Sequence, residues 1–133
     1  MTTHKDLTVW KKSMNLVILI YKVTGQFPKE ELFGLTSQMR RAAVSIPSNI
    51  AEGHGRHSEK ELIRFLYISL GSASELETQI LLSNKLDFLN GEDFNQLNEL
   101  NNEVLKMLAS LIRSKNNELV NLDTDISNKV VTE

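Results

Sequence analysis

The sequence predicts an all-α protein, an antiparallel up-down-up-down four-helix bundle that is elongated and has a kinked second helix. Apolar residues recur every three or four positions through four long stretches, which is the spacing of a helix face and not the alternation of a strand. Breaks at residues 25–28, 53–57 and 87–91, rich in glycine, proline, asparagine or aspartate, separate those stretches. A chain of 133 residues is long enough for one domain with its own core. The bundle is expected over residues 1–118, followed by a poorly ordered polar tail over 119–133.

The first helix is expected over residues 8–25. Its apolar line runs Trp10, Met14, Val17, Ile18 and Tyr21, and Leu16, Leu19 and Ile20 widen it. A helix this apolar around its circumference needs more than one neighbour, from its own bundle or from a second subunit. Phe27-Pro28 stops it, because proline disfavours helix in the residue before it.

A second helix should begin near Leu35, with Met39, Ala43, Ile46 and Ile50 continuing its core line. At 100° per residue, Ser37, Arg41, Ser45, Ser48 and Glu52 fall on another face that is small and polar; self-association is expected through this face and the wide apolar faces of the first and third helices. Pro47 lies inside this helix, removes a backbone donor and crowds the carbonyl of Ala43, so a kink is expected there. Gly53 or Gly55 is expected to end the helix in the left-handed conformation.

Ser58-Glu59-Lys60-Glu61 matches a capping box and starts a third helix that should reach about Leu86. The small residues Ser69, Gly71, Ser72, Ala73 and Ser74 on it, and Ala42, Ala43, Ser45 and Ser48 on the second helix, predict close approach between helices. Asn90 should cap the fourth helix, with Glu92 and Asp93 placed well for the helix dipole. The stripe Leu97, Leu100, Val104, Met107, Leu108 and Leu111 marks it as an outer helix.

Composition narrows the function. Cysteine is absent, which removes disulfides, thiolate zinc sites and cysteine nucleophiles, and fits a reducing compartment. Residues 1–6 are polar and Lys11, Lys12 and Asn15 interrupt the apolar segment after them, so no signal peptide is expected. The apolar run 16–21 is far shorter than the roughly 20 residues of a membrane span, and a cytoplasmic protein is expected. Net charge is -2, yet residues 1–64 hold ten Lys and Arg against six acids, and residues 65–133 hold five against eleven. That asymmetry fits an anionic partner, or complementary faces meeting in an oligomer.

The three stretches RRAAVSIPSNIAEGHGR (40–56), KELIRFLYISLGSASELETQ (60–79) and DLTVWKKSMNLV (6–17) resemble the four-helix-bundle proteins of the 23S rRNA intervening-sequence family. The resemblance spans residues 6–112. It implies an antiparallel four-helix bundle, often a ring-shaped homopentamer, without established enzymatic activity. It also brings in accessory proteins of diversity-generating retroelements, whose basic surface engages nucleic acid and a reverse transcriptase. This chain departs from that subgroup in being slightly acidic.

The binding residues expected for nucleic acid or a protein partner are Arg40, Arg41, Arg56, Lys60 and Arg64, a basic strip along the second helix and past its turn. The competing reading of Arg41 is an ion pair with Glu52 or Glu75 at a packed interface. His54 and His57, with Glu52 and Glu61, form a second cluster. No HExxH or third ligand spacing completes it, so no metal and no cofactor are expected. The reading is a non-catalytic homo-oligomeric interaction protein, pentamer favoured, with nucleic acid or a reverse transcriptase as partner and neither membrane nor small-molecule substrate. The alternatives are a nuclease or metal-dependent hydrolase centred on Glu52, His54 and His57, with histidine as general acid-base, and a purely structural oligomer.

Overall fold

The structure is a computed structural model that describes residues 3–132, with side chains through residue 126. It is all-α, with four helices and no strand among the described residues: α1 Thr8–Thr24, α2 Leu35–His54, α3 Glu59–Lys85 and α4 Gly91–Thr132. Short 3-10 turns at His4–Asp6 and Lys29–Glu31 lead into α1 and α2. Each long helix packs on two others, α1 and α3 both lying against α2 and α4.

The centre is filled by Leu16 and Ile20 of α1, Met39, Ile46 and Ile50 of α2, Leu66, Leu76 and Ile80 of α3, and Leu97, Val104 and Leu108 of α4, all without solvent exposure. Burying each such side chain stabilises the fold by about 1.5–3 kcal/mol, which makes this cluster the main source of stability. The α2 line is the expected one. In α1 the buried face is a different one: Val9, Ser13, Leu16, Ile20, Val23 and Thr24 point inward, while Met14, Ile18 and Tyr21 are exposed.

Two small polar residues make that inward face of α1 possible. Ser13 donates to the Trp10 carbonyl at 2.8 Å and Thr24 to the Ile20 carbonyl at 2.7 Å, so both hydroxyls are satisfied within their own helix.

The small surfaces of α2 and α3 meet within one chain. Ser69 donates to the Ile46 carbonyl at 2.9 Å, Ser72 to the Ser45 hydroxyl at 2.8 Å, and Ser83 lies against the Met39 sulfur at 3.4 Å. At the far end of α2, a Cβ on Gly53 would sit 2.7 Å from the Phe65 Cβ. Glycine is needed there for close approach and not for its conformational freedom. Helix α2 runs through Pro47 without interruption, and the proline is buried.

Several local expectations are corrected. No described glycine takes the left-handed conformation; His57 (φ 58°) and Asp87 (φ 61°) make those turns instead. The capping box at Ser58 is half formed: Ser58 accepts from the Glu61 amide at 3.4 Å, but the Glu61 carboxylate has turned to Arg64. A complete capping box occurs earlier, between Thr3 and Asp6. Asn90 caps α4 as expected, accepting from the Asp93 amide at 2.7 Å.

Helix α4 passes residue 118 without a break and runs on to Thr132. At roughly 1.5 Å per residue its 42 residues span about 63 Å, against about 40 Å for the 27 residues of α3. The last residue of the apolar core is Ile112, so the end of α4 stands beyond the bundle.

Candidate interaction surfaces

The basic strip divides into two clusters. Arg40 and Arg41 lie in the first half of α2, while Arg56, Lys60 and Arg64 surround the α2–α3 turn, about 24 Å further along the helix axis at roughly 1.5 Å per residue. Arg40 is a strut between α1 and α2. Its Nε donates to Thr24 Oγ1 at 3.0 Å, its terminal nitrogen reaches the Tyr21 carbonyl at 3.4 Å, and its guanidinium lies 4.6 Å from the centre of the Tyr21 ring. Arg41 donates only to Ser37, at 3.4 Å.

At the other cluster, Arg56 pairs with Glu52 at 2.7 Å and Arg64 with Glu61 at 2.7 Å. Both guanidiniums sit over the Phe65 ring, at 5.2 and 4.4 Å from its centre. The hydrogen bond from Arg64 holds the Glu61 carboxyl below its ordinary pKa, and the same bond raises that of Arg64. Two of the three cations here are thus neutralised by exposed carboxylates within their own chain. Arg41 and Lys60 have no ion pair among the described residues.

The face of Ser37, Arg41, Ser45, Ser48 and Glu52 is only partly continuous. Ser45 is engaged with Ser72 and Asn49, and Glu52 with Arg56. Arg41 and Glu75 line one small cleft with Gln38, Ser45 and Ser72, yet they form no ion pair; Glu75 instead accepts from Gln79 at 3.2 Å.

His54 and His57 line a hollow of about 320 Å³ with Glu59 and Lys115. His4 joins them from the chain start, its ring 6.4 Å from that of His54 and 5.2 Å from that of Trp10. All three histidines of the chain therefore gather at one end of the bundle. Among the described residues, no group of three histidine or acidic side chains is placed to hold a metal ion.

The wide apolar face of α1 that the sequence reads as a self-association surface extends onto Leu32, Phe33 and Val44, which the sequence did not single out. A groove of about 510 Å³ between α1 and α2 is lined by Tyr21, Leu32, Phe33 and Val44 together with Thr36, Ser37, Arg40 and Arg41. Phe33 is 93% exposed. A second hollow of about 310 Å³, lined by Trp10, Met14, Val17 and Pro47, shares Val44 with the first, so the two form one apolar face. The signal for it was present: an apolar pair, Leu32-Phe33, in a connector, beside a helix apolar on two sides.

The profile of the 23S rRNA-intervening sequence protein family matches residues 5–110. The chain belongs to this family. The bundle is also similar to the crystal structure of a protein of unknown function from the S23 ribosomal protein family of Bacteroides thetaiotaomicron VPI-5482. That likeness has 28% identity and a TM-score of 0.72, and covers 79% of this chain and 98% of that one. No curated protein matches the sequence. Among the described residues no helix is long and apolar enough to cross a membrane.

Proposed function

We propose that this family member is a cytoplasmic, non-catalytic homo-oligomeric interaction protein, an up-down-up-down antiparallel bundle that assembles through the apolar face of α1 and α2. One observation carries the reading: Met14, Ile18, Tyr21, Leu32, Phe33 and Val44 are all exposed on adjacent elements. An apolar patch of this extent on a soluble chain marks an interaction site. The antiparallel order is supported by side-chain pairs that run in opposite directions along α2 and α3, Met39 with Ser83 and Ile46 with Ser69. A bend in α2 is the conformation that Pro47 favours. The pentamer is the assembly that the family resemblance implies.

Nucleic acid, or a reverse transcriptase, is the second partner class, meeting Arg40, Arg41 and Lys60, the three cations of the strip without a carboxylate partner among the described residues. Light scattering on the purified protein, alone and with a mixed RNA and DNA ladder, tests both parts. A stable oligomer, with nucleic acid that binds at low salt and leaves at high salt, is expected. A monomer indifferent to nucleic acid would refute both.

A further inference from the structure

We infer that the end of α4 is a docking helix whose apolar stripe seats in the α1/α2 groove of a second copy of this chain. This deepens the proposal above and rests on its claim of self-association.

The buried line of α4 is Leu97, Asn101, Val104, Leu108 and Ile112. The same three-and-four spacing then continues through Lys115 to Leu119, Leu122 and Ile126. Lys115 marks the rim of the bundle, its ammonium 3.8 Å from Glu59 of α3 and 3.4 Å from Glu118. Beyond that rim the stripe emerges: Leu119 is half-buried, and Leu122 is 54% exposed and Ile126 53%. The segment lies outside residues 5–110, the part this chain shares with its family.

Charge selects the groove as the seat. Residues 116–126 contain Glu118, Asp123 and Asp125 and no lysine or arginine. At 100° per residue, Glu118 and Asp125 flank one edge of the stripe and Asp123 the other. The groove presents the complement, with Arg40 and Arg41 lining it beside the apolar Tyr21, Leu32, Phe33 and Val44. Laying the apolar face of an amphipathic helix into such a groove is a common recognition mode.

The helix cannot reach its own groove. Lys115 meets Glu59 beside the end of α2, whereas Tyr21 and Arg40 lie towards the beginning of α2, and α4 is already heading away from them. The contact is therefore between copies, exchanged reciprocally across a two-fold axis or passed head-to-tail around a ring.

The chain has no cysteine, so engineered thiols give an unambiguous test in the full-length protein. Copies carrying L122C are mixed with copies carrying V44C and mildly oxidised, and the mass of Leu122→Asp is measured in parallel by light scattering. Expected are a mixed disulfide between the two variants, and an assembly midpoint shifted at least tenfold to higher concentration by Leu122→Asp with its thermal midpoint unchanged. Asp123→Lys should also weaken assembly, and Arg41→Glu should restore it. Efficient L122C–L122C cross-linking would show the overhangs pairing with one another and overturn the inference. Unchanged assembly in Leu122→Asp would overturn it too, while leaving self-association intact. A native chain that stays monomeric at every concentration would remove the self-association claim itself.

Discussion

At Gly53, a single hydrogen in place of a methyl group sets how near α2 and α3 approach. Gly53→Ala should destabilise the fold by about 1–3 kcal/mol, read from urea unfolding, because its Cβ would meet the Phe65 Cβ at 2.7 Å and both belong to packed helices. Gly71 is the opposite case. Nothing lies within 4 Å of a Cβ built there, and the residue is exposed inside α3. Gly71→Ala should stabilise the protein by about 1 kcal/mol, seen as a higher urea midpoint with an unchanged slope. Glu61 predicts a pH effect. Its folded pKa is depressed by Arg64, so the pair contributes above the ordinary carboxylate value of 4.5 and is lost as pH falls through the lower folded value. The stability difference between the native protein and Glu61→Gln should stay constant from pH 7 to about 5.5 and close below 4.5. The half-formed capping box at Ser58 was not legible in the sequence for the same reason. Serine followed by glutamate at the third position allows the reciprocal bond, but Arg64 offers Glu61 a charged partner three residues on.

Among the helices, legibility tracked how one-sided each was. Helix α2 has one apolar line with small polar residues beside it, and Met39, Ala43, Ile46 and Ile50 are buried as expected. Helix α1 is apolar on two faces, so periodicity fits both, and the buried one carries Ser13 and Thr24, whose hydroxyls are satisfied by their own backbone. The continuation of α4 past residue 118 is hard to see in the sequence because Lys115 interrupts the apolar stripe at the bundle rim. The α2–α3 contact carries a further prediction. Ser69→Ala removes the only side-chain hydrogen bond to the Ile46 carbonyl in a fully buried place. It should cost about 1 kcal/mol in chemical denaturation, and Ser72→Ala, in a less buried pair, should cost less.

For the whole molecule, the charge asymmetry visible in the sequence does not become one basic strip. Arg40 braces α1, and Arg56 and Arg64 are paired within the chain. Any nucleic-acid affinity should therefore fall with salt through only a few contacts per subunit. With Arg40, Arg41 and Lys60 the strip cations not paired with a carboxylate, the logarithmic slope on duplex DNA should be no steeper than about -3 per subunit, measured by titration across salt concentrations. A much steeper slope would mean that the internal pairs open to release their arginines. The family, the four helices and the wide apolar face of α1 were readable from the sequence; its extension onto the connector and α2 was not, because those residues become neighbours of α1 only on folding.

Asn101 sits in the middle of α4's inward line, 1% exposed, its amide nitrogen donating to the Ala73 carbonyl at 3.0 Å while its own oxygen finds no partner. An aliphatic residue would fill the position with no polar atom to satisfy, but leucine and valine tolerate sliding. A buried amide with a single available acceptor does not, since slipping α4 by one turn, about 5.4 Å, strands both ends of the side chain. The asparagine thus works as a detent, and in fixing α4 against α3 it also meters how many turns project past Lys115.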